Sequence, residues 1–221
     1  MITDSEVRHP SPTEDRGRTV VASTFATLDG YMVGPDEDIS WVAERFDPEM
    51  QNDIAEDMCR GFDLFVFGRV TYDIFKAYWP TAVPYDEGDA LKPAEGKEDP
   101  RIIRALNDLP KLVFSSTLGG SDWSNTRIVD DGLADEIRRL KKEPGKAIGI
   151  QGSASIVQAL ARALARADLI DEYRLYVHPV LLGDGKPLFA TRTDRQDFEL
   201  AETKADANGV VAMTCTRKAA A

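Results

Sequence analysis

Three short segments combine small and hydroxyl-bearing residues in a way that suits phosphate binding. They are Gly68-Arg69-Val70-Thr71, Ser115-Ser116 and Gly152-Ser153-Ala154-Ser155. The first and third lead into helical patterns, and the amides at a helix N-terminus attract anions. Arg69 and Thr71 would add a charge and a hydroxyl. The other interpretations are an ordinary strand-to-helix turn, serines that cap a strand, and a plain helix cap, because the third segment has one glycine where a dinucleotide fingerprint has three.

Two carboxylates are candidates for work on a substrate. Reduction of a C=N or C=O bond by hydride also needs a proton, and a carboxylate near the ring can orient the substrate or help to protonate it. Asp29 and Asp38 are the candidate catalytic residues. Asp29 precedes Gly30, however, and Asp-Gly is a turn dipeptide in many settings. Asp38 follows two other acids, so it also fits a solvated acidic loop.

Three further polar residues lie late in the chain. His178 precedes Pro179 at the end of an apolar run, which favours a structural histidine over a general acid. Lys186 and Arg192 lie near the segment Gly183-Asp184-Gly185 and could pair with a substrate phosphate. They fit equally well as surface charges.

Composition excludes several classes of function. The 221 residues carry a formal net charge of −11, which disfavours nucleic acid or an anionic membrane as the main partner. No apolar run is long enough to span a membrane, and the two cysteines have no metal-type spacing. We therefore expect a cytoplasmic protein that acts on small molecules and holds no metal. Residues 1–18 are expected to be a disordered tail, and residues 19–218 a single domain.

The candidate residues depend on alternating strands and helices. Strand-like runs are predicted at 19–25, 62–67, 111–115 and 147–150, with helices between them. The last of these runs, the small-residue turn after it and the helix over 156–167 have the pattern of a βαβ unit. The C-terminal part is strand-like, with a hairpin signal at Asn208-Gly209. The fold class is thus α/β, a mixed and mostly parallel sheet flanked by helices, with residues 81–99 as a mobile acidic loop.

Taken in order, these segments resemble a known family. Leu28-Asp29-Gly30-Tyr31, the three phosphate segments, and the stretch from His178 to Phe189 are similar to the dihydrofolate reductase-like fold. Within that fold they resemble the branch that contains the reductase domain of bacterial riboflavin biosynthesis. The resemblance implies a three-layer domain, NADPH bound across the carboxyl ends of the parallel strands, and a homodimer.

The resemblance also implies roles for individual residues. The segment from Gly68 to Thr71 would hold the cofactor phosphates, and Ser115 and Ser116 would meet the adenosine 2′-phosphate. Many relatives have an arginine where this chain has Thr117, which weakens the preference for NADPH over NADH. Asp38 aligns with an acidic residue that precedes an aromatic one, here Trp41.

The predicted function is an NADPH-dependent reductase. Its substrate would be a 5-amino-6-(5-phosphoribosylamino)uracil-type compound, a pterin-like compound such as dihydrofolate, or another small molecule. No zinc-type deaminase spacing is present, and no clear Pro-Trp loop precedes the acid. The alternative is a nucleotide-binding module of the same fold without turnover, and a more distant one is a protein-interaction role for the acidic loop.

Overall fold

The apolar runs of the sequence form the central strands of one eight-stranded sheet. A computed structural model describes residues 17–45, 48–86, 96–162, 169–189 and 195–218. In chain order its strands are β1 (Val20–Thr27), β2 (Tyr31–Val33), β3 (Phe62–Gly68), β4 (Val83–Pro84), β5 (Lys97–Glu98), β6 (Lys111–Phe114), β7 (Thr126–Val129), β8 (Ala147–Gln151), β9 (Glu172–His178), β10 (Lys186–Pro187), β11 (Phe198–Ala205) and β12 (Val211–Arg217). Its helices are α1 (Ser40–Ala43), α2 (Pro48–Glu56), α3 (Arg69–Tyr78), α4 (Pro100–Asp108), α5 (Leu133–Leu140) and α6 (Ala154–Arg162).

The strand order of the large sheet is β11-β12-β9-β1-β8-β3-β6-β7. All neighbours from β9 to β7 are parallel, whereas β12 runs antiparallel to both β9 and β11. The hairpin between β11 and β12 turns at Gly209, whose φ of 89° is easy for glycine and costly for other residues. The predicted fold class, including the antiparallel C-terminal hairpin, is confirmed.

Helices cover both faces of the parallel part of the sheet. On one face α5 and α6 contribute apolar side chains that pack on β1, β3 and β8, among them Ile137, Val157 and Leu160. On the other face α2, α3 and α4 pack around the aromatic side chains of β3, with Tyr72 and Leu106 fully buried. Strands buried on both faces read as continuous apolar runs, and this is why β3 and β8 stand out in the sequence.

The predicted acidic loop over 81–99 has fixed ends. β4 and β5 pair in parallel there, so both ends of the predicted loop have regular structure. Asp99 is fully buried and accepts hydrogen bonds from the Tyr85 hydroxyl at 2.7 Å and the Arg101 backbone N–H at 2.7 Å. The middle of that loop and residues 1–16 of the predicted tail lie outside the described residues. Arg18, the last residue of that tail, forms an ion pair with Asp63 at 3.0 Å.

None of the described helices combines the length and the apolar composition that a membrane span requires. Within the same residues, no group of three or more His, Cys, Asp or Glu side chains is arranged to hold a metal ion.

Candidate functional site

The turns that follow four neighbouring parallel strands meet at one edge of the sheet. Strands β8, β3, β6 and β7 lie side by side, and their carboxyl ends surround a cleft of about 400 Å³. Ligands of open α/β sheets bind at this edge. The lining residues are Arg69, Val70, Phe114, Ser115, Ser116, Thr117, Asp130, Asp131, Gly132, Leu133 and Ser155. The cleft therefore brings together members of all three segments that the sequence singles out.

The turn after β3 leads straight into a helix. α3 begins at Arg69 with Gly68 as its cap, so Arg69, Val70 and Thr71 form the first helical turn. The Gly68 N–H donates to the buried Ser153 hydroxyl at 3.0 Å. A Cβ on Gly68 would lie 2.8 Å from Ser155 Oγ, closer than real Cβ contacts allow. A larger residue here would force Ser155 or Ile156 to shift, because the start of α3 and the start of α6 approach each other closely.

The turn after β8 is held in a left-handed conformation. Gly152 and Ser153 have φ values of 61° and 56°, and such a value is uncommon for a residue other than glycine. The Ser153 carbonyl accepts the N–H groups of Ile156 and Val157, which fixes the start of α6. A Cβ on Gly152 would lie 3.8 Å from the Thr71 side chain. The two glycine turns thus face each other, with the N-termini of α3 and α6 beside them.

Arg69 reaches across the mouth of the cleft. Its Nη1 donates to Thr117 Oγ1 at 3.1 Å, and its Nε pairs with Asp73 at 2.5 Å. Ser115 is nine-tenths buried, and its hydroxyl accepts the N–H groups of Thr117 and Leu118 at 3.3 and 3.1 Å. Ser115 therefore stabilises the turn, while Ser116 is exposed in the cleft. The two serines have different surroundings, which the sequence alone does not reveal.

The turn after β7 completes the cleft, and its residues are not among those predicted from the sequence. Asp130, Asp131 and Gly132 precede α5, and Gly132 caps that helix with a φ of 69°. The signal available in the sequence is Asp-Asp-Gly before a helical pattern, which is also an ordinary turn. Apolar side chains supply the rest of the lining. Val70 is 53% exposed, and Phe114 and Leu133 are half-buried. The site thus joins an apolar surface to a polar rim.

Asp29 is engaged in local structure. It accepts hydrogen bonds from the Thr27 hydroxyl at 2.5 Å and from the backbone N–H groups of Leu182 and Gly183 at 3.0 and 2.8 Å. These bonds, the one from Thr27 first, lower the pKa of the Asp29 carboxyl. The carboxylate therefore ties the end of β1 to the loop after β9. It does not line the cleft.

Asp38 also has a local partner and lies outside the cleft. It accepts the Ser40 N–H at 2.9 Å just before α1, and this bond lowers the pKa of the Asp38 carboxyl. Lys186 forms an ion pair with Glu37, so its ammonium is already partnered. Arg192 lies outside the described residues.

His178 is fully buried, and its ring makes edge contacts with Trp41 and Phe25 at 4.9 and 5.7 Å between centroids. Burial, with a smaller effect of Arg45, lowers the pKa of His178 to about 4. The imidazole is neutral at pH 7, as the structural interpretation requires. Within the described part of the chain neither ring nitrogen has a hydrogen-bond partner, and the same holds for the buried Nε2 of Gln151, the last residue of β8. The sequence analysis did not single out Gln151.

Comparison with solved structures supports the same architecture. The chain is similar to a putative riboflavin biosynthesis protein from Shewanella sp. PV-4, with a TM-score of 0.66, 21% identity, and coverage of 90% of this chain and 99% of that one. It is also similar to a Thermotoga maritima diaminohydroxyphosphoribosylaminopyrimidine deaminase/5-amino-6-(5-phosphoribosylamino)uracil reductase, with a TM-score of 0.60 and 11% identity. That match covers 91% of this chain and 57% of the Thermotoga chain. At these identities the likeness shows the fold.

Sequence comparison finds uncharacterized relatives that match over most of the chain. Uncharacterized protein YyaP of Bacillus subtilis is 30% identical over 194 residues, which is 88% of this chain and 92% of that protein. Uncharacterized protein YwjB of the same organism is 28% identical over 187 residues, covering 85% of this chain and 91% of that protein. The model of the RibD C-terminal domain matches residues 18–212. The chain therefore belongs to the RibD C-terminal domain family.

Proposed function

We propose that this protein is a reductase that binds NADPH in the cleft and delivers its hydride to a small heterocyclic substrate. The observation that carries the proposal is the meeting of four turns, after β3, β6, β7 and β8, around one cleft with the N-termini of α3, α5 and α6 beside it. Helix N-termini attract phosphate, and the cleft volume of about 400 Å³ is within the range of small-molecule sites.

The residues present fit a reduced dinucleotide. The two glycine turns, Gly68–Thr71 and Gly152–Ser155, would hold the pyrophosphate with backbone amides. Arg69 and Ser116 would meet the 2′-phosphate, and the exposed Val70 would pack against the adenine ring. Gly152 supports this assignment because a glycine with a positive φ leaves the backbone amides of that turn uncovered by a side chain.

A reduced nicotinamide supplies a hydride, and the product also needs a proton. The lowered pKa values of Asp29 and Asp38 leave both carboxylates unprotonated at neutral pH, so neither stores that proton. We assign Asp38 the task of accepting a hydrogen bond from a substrate N–H, with the proton drawn from water. Asp29 acts as a positioning residue because its hydrogen bonds hold the loop at Leu182 and Gly183.

The substrate class follows from the family and the solved relatives rather than from the cleft. A 5-amino-6-(5-phosphoribosylamino)uracil-type compound or a pterin-like compound would present ring N–H groups to Asp38. A phosphorylated sugar would need a cation as well, and Lys186 could meet it only by leaving its ion pair with Glu37.

One observation favours a second function, a nucleotide-binding module without turnover. Both candidate carboxylates are engaged in local hydrogen bonds, and His178 is buried and neutral, so the described residues include no evident proton donor. In that case the dinucleotide would bind but would not be oxidised.

Following NADPH oxidation by absorbance separates the two functions. The protein is mixed with NADPH and with dihydrofolate, a pyrimidine substrate of the riboflavin type, or buffer alone. Oxidation that requires a heterocycle and falls at least about tenfold in an Asp38→Asn variant supports the reductase. Stoichiometric binding of NADPH with no oxidation beyond buffer supports the module.

A further inference from the structure

The charge balance of the cleft does not match a site built for a 2′-phosphate. Arg69 is the one cationic side chain among the described residues that line it, and Asp130 and Asp131 oppose it with two carboxylates. Both aspartates are exposed. A 2′-phosphate brings about two further negative charges near neutral pH. The lining therefore carries a net charge of −1 before any nucleotide enters.

Arg69 is also not a free cation. Its guanidinium pairs with Asp73 at 2.5 Å and donates to Thr117 at 3.1 Å. Part of its capacity to pair with a phosphate is used within the protein, and Thr117 offers only a hydroxyl. Ser116 likewise contributes a neutral group. The attraction for a 2′-phosphate thus rests on one partly neutralised arginine and on helix N-termini.

The two aspartates suit a ribose with a free 2′-hydroxyl, as in NADH, better than one with a 2′-phosphate. In Rossmann-type dinucleotide sites an acidic residue accepts a hydrogen bond from the free 2′-hydroxyl of NADH, whereas a nearby arginine accommodates the 2′-phosphate of NADPH. Asp130 and Asp131 lie directly after β7, beside the Ser115–Thr117 turn that follows β6. Gly132 is the N-cap residue of α5. The cleft holds features of both kinds at once.

We propose that Asp130 and Asp131 are specificity-determining residues that cancel most of the advantage of NADPH, so that the protein accepts NADH with comparable affinity. The inference rests on the proposed function, because it assumes that the cleft takes the adenosine end of a reduced dinucleotide. Repulsion from two carboxylates lowers NADPH affinity, and hydrogen bonding to the ribose hydroxyls raises NADH affinity. The same cleft would thus hold an arginine suited to NADPH and two aspartates suited to NADH.

Titration of the purified protein with NADPH and with NADH, followed by nucleotide fluorescence, tests the proposal. In the wild-type protein we expect the two Kd values to lie within about tenfold of each other. The Asp130→Asn, Asp131→Asn double variant should bind NADPH at least about fivefold more tightly, and NADH equally or less tightly. Asparagine keeps the size of the side chain and is also well tolerated next to a helix start, so the fold should be retained.

The control is Asp135→Asn. Asp135 lies in the first turn of the same helix but does not line the cleft, and its side chain is 86% exposed. This substitution removes one carboxylate charge near the same helix end, as the single Asp131→Asn variant does, and we expect the ratio of Kd values to stay within twofold of wild type. Raising the salt concentration should shrink the effect of the double variant, because salt screens exposed charges. The single Asp131→Asn variant provides the same readout if the double variant does not fold.

The outcomes are distinguishable. A ratio that changes by less than twofold in the double variant, or by as much in the Asp135→Asn control, overturns the assignment of Asp130 and Asp131 and leaves the reductase proposal intact. A wild-type protein that binds NADPH more than about tenfold more tightly than NADH overturns it too. No binding of either nucleotide refutes both proposals together.

Discussion

At the scale of single residues, the hydrogen bonds that a polar side chain makes within the protein limit the role it can have in the reaction. Asp29 links β1 to the loop after β9 through the N–H groups of Leu182 and Gly183. We expect Asp29→Ala to lower kcat/KM for the substrate at least about tenfold through misplacement of that loop. The Kd for NADPH should change by less than twofold, because Asp29 does not line the cleft. Steady-state kinetics and a binding titration on the same preparation check this, and an equal loss in both would contradict it.

The burial of His178 predicts that the stability of the protein depends on pH. Burial lowers the pKa of His178 in the folded protein to about 4, below the ordinary value of 6.5. Between these pH values the unfolded chain binds a proton that the folded chain does not. The free energy of unfolding therefore has its full contribution from a neutral His178 above pH 6.5 and loses it progressively as the pH falls from 6.5 to 4. The shift corresponds to about 3 kcal/mol. Urea unfolding at several pH values should show this loss in the wild-type protein.

The control for that series is His178→Phe, which keeps a ring between Trp41 and Phe25 but cannot bind a proton. The difference in unfolding free energy between wild type and variant should change with pH over the same window. Carboxylates with lowered pKa values, such as Asp29, affect both proteins equally. If the difference is constant from pH 7 to pH 4, the histidine is not held neutral.

At the scale of secondary-structure elements, the end of α4 depends on a buried lysine. Lys111, the first residue of β6, donates from Nζ to the carbonyls of Leu106, Asn107 and Leu109 and lies 4.7 Å from the centre of the Trp123 ring. It is 1% exposed. Replacement by methionine keeps the apolar stem but removes all three donated hydrogen bonds, which leaves helix carbonyls buried without a donor.

We expect Lys111→Met to lower the free energy of unfolding by about 1–3 kcal/mol. Because Lys111 lies at the amino end of β6, opposite to the cleft, the Kd for NADPH of the folded variant should match wild type. Thermal or urea unfolding together with a nucleotide titration measures both quantities. Stability equal to wild type would contradict this view of the helix end.

The elements that the sequence predicts well are those with strong local signals. β8, the turn at Gly152 and α6 are recognisable because an apolar run, small residues and a helical pattern follow one another. β4 and β5 were missed because each has two residues and depends on a partner more than ten positions away. Asp130 and Asp131 were missed as site residues for a related reason. Only the placement of β7 beside β6 brings them to the cleft.

The division between the two serines shows the same limit. Ser115 and Ser116 are chemically identical in sequence, and only the turn after β6 decides that one hydroxyl caps the backbone while the other is exposed. Gln151 is a similar case, because its burial depends on the helices that cover the sheet. The sequence thus indicates which turns form the site, and the fold decides which side chains face it.

At the scale of the whole molecule, the C-terminal hairpin leaves an open sheet edge. β11 is the outermost strand, and the hairpin exposes Leu200 by 58% and Val211 by 38%. Open edges with exposed apolar side chains favour pairing with another chain. In line with the family resemblance, we propose a homodimer that uses this hairpin.

Light scattering coupled to size-exclusion chromatography tests the dimer. We expect a mass of two chains for the wild-type protein and of one chain for Leu200→Glu, because a carboxylate in an apolar interface is costly to desolvate. Leu181→Glu is a matched control, since Leu181 is 70% exposed and lies outside the hairpin. A monomeric wild-type protein, or a Leu200→Glu variant that stays dimeric, would refute this interface.

The central claim is that the four turns at the carboxyl edge form a dinucleotide site. The most direct test is a fluorescence titration with NADPH of the wild-type protein, of Gly152→Asp and of Gly96→Asp. Gly96 shares the left-handed backbone of Gly152 and has open space around it, but it lies next to β5 and not in the turn that leads into α6. We predict saturable binding by wild type and by Gly96→Asp, and a loss of at least about a hundredfold in Gly152→Asp, where a carboxylate would face the pyrophosphate. Equal binding by all three proteins, or binding by none, would contradict the account.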